Sequence, residues 1–94
     1  MANVAAKIHI EGIVQGVGFR HFTYRKSQEC DIQGFVRNLR DGRVQVHAEG
    51  EQKCMDRFLA ELRQGPVGSR IRGFYVNQVP YTGKYNEFSV LLDL

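Results

Sequence analysis

The chain has 94 residues, 43% hydrophobic and 24% charged, with 13 basic and 10 acidic side chains giving a net charge of +3. That length suits one domain (1–94) able to bury a core without disulfide or metal support, and the mixed composition excludes a disordered chain. No apolar run approaches the roughly 20 residues of a membrane span, and the first residues lack a basic, then apolar, secretory pattern, so a cytoplasmic protein without membrane contact is expected.

The modest positive charge favours small anions and is thin for a protein that coats nucleic acid. Cys30 and Cys54 have neither Cys-x-x-Cys spacing nor clustered histidines beside them. They suggest no zinc site and no redox pair, and are expected as buried thiols.

In chain order, Ala6, Ile8 and Ile10 interleave with Lys7, His9 and Glu11. This period of two predicts a strand with one buried face. Gly12, Ile13, Val14, Gln15, Gly16, Val17, Gly18, Phe19 and Arg20 follow directly. Glycines let a backbone turn successive N–H groups inward and admit a ligand close to the main chain, which is how a chain cradles an anion. A helix beginning at the end of such a turn adds unpaired first-turn N–H groups and the positive end of its dipole. Arg20 adds a permanently charged planar fork able to hold two phosphate oxygens at once. The loop therefore points to phosphate.

Beyond Arg20, Phe22, Ser27 and Cys30 fall at near-helical spacing and predict an amphipathic helix. A second strand is predicted through Ile32 to Arg37 and a third through Arg43 to Ala48, with Asp41 and Gly42 turning between them. From Glu51 onward, Met55, Phe58, Leu59 and Leu62 at i, i+3, i+4 and i+7 form the clearest helical stripe, stopped by Gly65 and Pro66. A closing β region runs through Ile71, Phe74 and Val76 and then Phe88, Val90 and Leu92, with a loop over Tyr81 to Asn86.

The order strand, helix, strand, strand, helix, strand, with a short extra strand at the end, predicts an α+β, ferredoxin-like βαββαβ sandwich. Both helices should cover one face of an antiparallel-dominated sheet while the other face meets solvent. His9 and His47 then belong to the outer face. In this plan the first and second strands run parallel with the third between them, so the loop from Gln15 to Arg20 and the residue Asn38 should face one pocket.

Gly12 to Arg20, together with the run Gly34-Phe35-Val36-Arg37-Asn38-Leu39-Arg40-Asp41-Gly42-Arg43-Val44, resembles the acylphosphatase family. Its signatures are a glycine loop ending in Phe-Arg and a Gly-x-Val-x-Asn-x-x-Asp-Gly-x-Val run. The resemblance covers essentially the whole chain; Gly50 with Glu51, Gly65 with Pro66, and Phe88 match in order and spacing. It implies hydrolysis of acyl phosphates to a carboxylate and inorganic phosphate without metal or other cofactor. By that resemblance Arg20 and Asn38 are catalytic, Arg20 holding the phosphoryl group and Asn38 positioning the attacking water. Backbone N–H groups of Gln15, Gly16, Val17, Gly18 and Phe19 complete the phosphate site, where inorganic phosphate or sulfate would compete. The partner expected is a small-molecule acyl phosphate, bound by a monomer.

The chemistry agrees with that reading. A carboxylate is a good leaving group, so a dedicated general acid is dispensable, and phosphoryl transfer asks mainly for positioning and charge stabilisation. A P-loop would need Lys followed by Ser or Thr, and a dinucleotide fingerprint would need Gly or Ala where His21 stands. Neither is present. His21 reads as an exposed helix-start residue, and Arg37, Arg40 and Arg43 as a solvated hairpin cluster that can draw anions inward. Where the family usually places a Leu-Gly-Leu run after the first helix, this chain has Cys30, Asp31 and Ile32, which bears on helix stability alone.

Two alternatives share the fold: a non-catalytic acylphosphatase-like module, and an RNA-binding module. The latter reads RNA with aromatics on its third strand, where this chain presents Gln45 and His47, so no nucleic-acid partner is expected.

Overall fold

In the computed structural model, which describes residues 2–93, the alternating first segment forms β1 (Asn3–Ile13). It is followed by α1 (Phe19–Cys30), β2 (Gln33–Asn38), β3 (Val44–Glu51), α2 (Gln52–Gln64), β4 (Arg70–Val79) and β5 (Phe88–Val90). The five strands make one sheet in the order β4-β1-β3-β2-β5. β1 runs antiparallel to β3 and β4, β2 runs antiparallel to β3, and β5 joins β2 in parallel. Because β1 and β2 flank β3 and oppose it, their C-terminal ends emerge on the same edge, as the βαββαβ reading requires.

Side-chain alternation fixes the register. Ile8 faces Val46 on one side and Val76 on the other, and Ile10 faces Val44 and Phe74. These even-numbered residues meet α2, whose Phe58 and Leu62 are fully buried, and α1, which buries Phe19, Phe22, Thr23, Ser27 and Cys30. The α1 stripe thus includes Phe19 and Thr23 beyond the three residues that marked it in the sequence. Each large apolar side chain so buried contributes about 1.5–3 kcal/mol.

Asp31 ends α1 with φ 55 and ψ 54, a left-handed conformation. Ile32 N–H returns to Ser27 O at 2.9 Å and closes the helix end. Of the two thiols, Cys30 is buried and Cys54 only partly so, and both are free, which corrects the expectation that both would be buried. Leu92, expected in the last strand, lies beyond β5 and is 89% exposed.

The outer face departs most from expectation. His9, Gln45 and Arg37 do lie in register across it. Arg37 Nε donates to Gln45 Oε1 at 3.1 Å, which turns the Gln45 amide so that Nε2 donates to His9 Nε2, also at 3.1 Å. A ring nitrogen that accepts is unprotonated; burial, with help from Arg43 and Lys7, lowers the His9 pKa accordingly.

Further along, the face is covered. His47 and Glu49 are buried, with Glu49 only 2% exposed. His47 Nε2 donates to Glu49 Oε2 at 2.9 Å, while Thr82 Oγ1 (2.9 Å to Oε2) and Gly83 N–H (3.0 Å to Oε1) reach the same carboxylate. Tyr85 leans on the His47 ring at 5.0 Å, and His47 stacks on Phe35 at 5.7 Å. The segment between β4 and β5 is thus a strap pinned to the sheet. A buried carboxylate demands such donors, and they come from residues a solvated-face reading leaves in water.

Candidate active site

β1 ends at Ile13, and Val14, 1% exposed, anchors the chain in the core before the loop begins. Gly16 and Gly18 adopt φ 75 and 79, and a Cβ added at either would meet nothing within 4 Å. Backbone conformation, not crowding, is what asks for glycine there.

Gly18 is the N-cap of α1, and the first helical bond is Phe22 N–H to Gly18 O at 2.9 Å. The helix leaves the N–H groups of Phe19, Arg20 and His21 without a carbonyl partner. No side chain caps this end and no acidic residue occupies the first turn. The positive end of the dipole is therefore free to meet an anion. Phe19, 2% exposed and edge-on to Phe22 at 5.9 Å, pins the turn to the core.

A cavity of about 320 Å³ opens at this edge. Gly16, Gly18, Phe19, Arg20 and His21 line one side, Asn38 another, and Val14 and Val90 supply apolar surface. Arg20 and Asn38 thus reach one pocket from α1 and from the last residue of β2. Asn38 is 6% exposed, and among the described residues its amide makes no hydrogen bond, so both its oxygen and its NH2 group are left for a ligand or water. The Arg20 side chain, 37% exposed, donates from Nη1 to Asp93 Oδ1 at 2.8 Å.

Gln15 and Val17 do not line the cavity. Val17 packs on the core, and the Gln15 side chain turns away to donate from Nε2 to Leu39 O (2.8 Å) and Arg43 O (2.9 Å). Of the hairpin arginines, Arg43 is paired with Asp41 at 2.8 Å, Arg37 lies over Phe35 at 5.0 Å, and Arg40 is exposed. The side-chain role of Gln15, the apolar contribution of Val90 and the reach of Asp93 were not legible beforehand. Only Val90 had a signal, its place in an alternating segment. The lining offers a guanidinium, backbone N–H groups, one imidazole and one amide but no carboxylate or thiolate, a donor set suited to an anion and not to a metal ion.

An α+β sandwich whose glycine loop and Asn38 share a cavity at the ends of two parallel strands defines a class of small single-sheet proteins. The Acylphosphatase family model matches residues 6–90. The acylphosphatase of Archaeoglobus fulgidus is 42% identical over 87 residues, covering 93% of this chain and 97% of that one. The crystal structure of acylphosphatase from Bacillus subtilis superposes with a TM-score of 0.90 at 30% identity, over 94% of this chain and 98% of that one. Full-length HypF, in its phosphate- and nucleotide-bound form, matches with a TM-score of 0.89 at 33% identity, over 98% of this chain but 12% of HypF. The chain belongs to the acylphosphatase family. Its activity is accordingly hydrolysis of acyl phosphates, small-molecule substrates with a phosphoryl group at one end.

Proposed function

We propose that Arg20 and the backbone N–H groups of Gly16, Gly18 and Phe19, the loop residues that line the cavity, hold the phosphoryl group while Asn38 orients the water that attacks it. The observation that carries this reading is the convergence of Arg20 and Asn38 on one cavity at the free N-terminus of α1. The guanidinium fork and the N–H groups neutralise the equatorial oxygens. The amide oxygen of Asn38 accepts a hydrogen bond from water and aims its lone pair at phosphorus, opposite the acyl oxygen. A P–O bond forms to the water oxygen and the P–O bond to the acyl group breaks. The carboxylate departs with the bonding pair, and a phosphoryl oxygen takes the water proton. No cofactor takes part, and inorganic phosphate or sulfate occupies the same cradle as a competitor. The acting unit is a cytoplasmic monomer of one domain, 1–94.

Of the alternatives, RNA binding on the outer face conflicts with the strap, because Tyr85 and Thr82 occupy the surface around His47 and Glu49. The test is phosphate release from benzoyl phosphate by the purified protein in excess chelator. Turnover inhibited competitively by inorganic phosphate supports the reading. Phosphate binding without turnover would establish the non-catalytic module instead.

A further inference from the structure

The cradle follows β1 and Asn38 ends β2, strands that are not neighbours, since β3 separates them. No ladder hydrogen bond joins them directly, yet in-line attack needs water and phosphorus held about 3–3.5 Å apart. From the hydrogen bonds of one side chain we infer that Gln15 is the positioning residue that sets this spacing. It does so by tying the start of the phosphate loop to the hairpin that carries Asn38. The inference rests on the role proposed above for Asn38.

Gln15 Nε2 uses both protons, one to Leu39 O at 2.8 Å and one to Arg43 O at 2.9 Å. Leu39 directly follows Asn38, and these two carbonyls bracket the turn between β2 and β3. Each carbonyl already has a backbone donor: Leu39 N–H reaches Arg43 O at 2.8 Å and Gly42 N–H reaches Leu39 O at 3.2 Å. The turn is therefore closed without Gln15, whose amide takes the second lone pair of each oxygen. Its bonds add no closure to the hairpin; what they add is a link across the sheet edge. Two acceptors also fix the orientation of the amide, because only the NH2 end can face both. As the Gln15 side chain does not line the cavity, it acts through Asn38 and not on substrate.

The test compares wild type, Gln15→Met, Asn38→Ala and the double variant in kcat for benzoyl phosphate and in the inhibition constant for inorganic phosphate. Methionine keeps the volume, and the turn keeps its backbone bonds. Gln15→Met is expected to lose roughly 10- to 100-fold in kcat, the scale of a misplacement near 1 Å. Phosphate inhibition should change by less than about threefold, because the N–H cradle and Arg20 persist. The double variant should be no slower than Asn38→Ala alone, since the two residues act as one unit. Multiplicative losses, or an inhibition constant that rises as kcat falls, would overturn the assignment. A wild type without turnover would instead sink the catalytic reading. A further measurement needs no variant: the Gln15 side-chain amide protons should exchange with solvent at least about tenfold more slowly than those of exposed Gln64. Equal rates would overturn the link even if Gln15→Met failed to fold.

Discussion

Arg20 and Asp93 form an ion pair, Nη1 to Oδ1 at 2.8 Å, that places a carboxylate from the end of the chain against the guanidinium lining the anion cavity. The two side chains are 37% and 62% exposed. Such a pair is worth about 0–1 kcal/mol, far less than a desolvated contact between guanidinium and phosphoryl oxygens. If Arg20 holds the phosphoryl group, Asp93 is a weak competitor for the same fork.

Asp93→Asn should therefore tighten inhibition by inorganic phosphate by up to about fivefold at low ionic strength, with the gain shrinking as salt is added. Inhibition constants measured across a salt series check this. Weaker phosphate binding in the variant would mean that Asp93 orients Arg20 for substrate and does not compete for it.

Arg20→Ala removes the charged clamp and should abolish phosphate inhibition along with turnover, lowering kcat/KM by about 10²-fold or more. Arg20→Lys should restore only part of either, because an ammonium cannot match two oxygens in a fixed fork. Steady-state kinetics and calorimetric phosphate titration report both. Wild-type phosphate affinity in Arg20→Ala would refute the clamp.

Asn38→Ala should separate the two functions, with phosphate affinity retained and kcat reduced by about 10²-fold through loss of water orientation. The folded state should tolerate the change, because among the described residues the Asn38 amide holds no partner. Proportional loss of affinity and rate would make Asn38 a phosphate contact.

Short-range patterns carried the fold: the β1 alternation around Ile8 and Ile10 and the α2 stripe of Met55, Phe58 and Leu62 are local periods, and the structure uses both. The pairing of cradle with Asn38 followed from topology once the strand order was read. What stayed hidden depends on partners far along the chain. His47 read as solvated because nothing near it signals that Tyr85 will lean on its ring, or that Thr82 will bond the neighbouring Glu49 from 33 residues on. Arg20 and Asp93 lie 73 positions apart. Gln15 offered its backbone to a phosphate reading, while its side chain donates to carbonyls of the β2–β3 hairpin.

Burial alone would raise the Glu49 pKa, but hydrogen bonds from His47, Thr82 and Gly83 outweigh it and hold the carboxyl below its ordinary value. A depressed folded-state pKa stabilises the fold above the unfolded value, and that contribution is lost as pH falls through the folded one. Glu49→Gln should then cost about 1.5–3 kcal/mol near neutral pH, the scale of charge-assisted bonds. The difference from wild type should narrow under acid. Urea unfolding at a series of pH values measures it; a difference that stays constant into acid would contradict the charged-acceptor account.

Asp31 holds a left-handed backbone at the end of α1, where glycine carries no Cβ penalty. Asp31→Gly should stabilise the protein by roughly 0.5–1 kcal/mol, read from the denaturation midpoint, with kcat unchanged because the site lies at the opposite end of the helix. A destabilised variant would show that the Asp31 carboxylate, which accepts from Gln33 Nε2 at 3.1 Å, matters more than the backbone.

The most direct measurement of the central claim is hydrolysis of benzoyl phosphate in water labelled with heavy oxygen, with mass analysis of both products. If Arg20 holds phosphorus for a water aimed by Asn38, the label enters inorganic phosphate and the benzoate carries none. Label in the benzoate would place the attack on the acyl carbon and contradict the assignment of both residues.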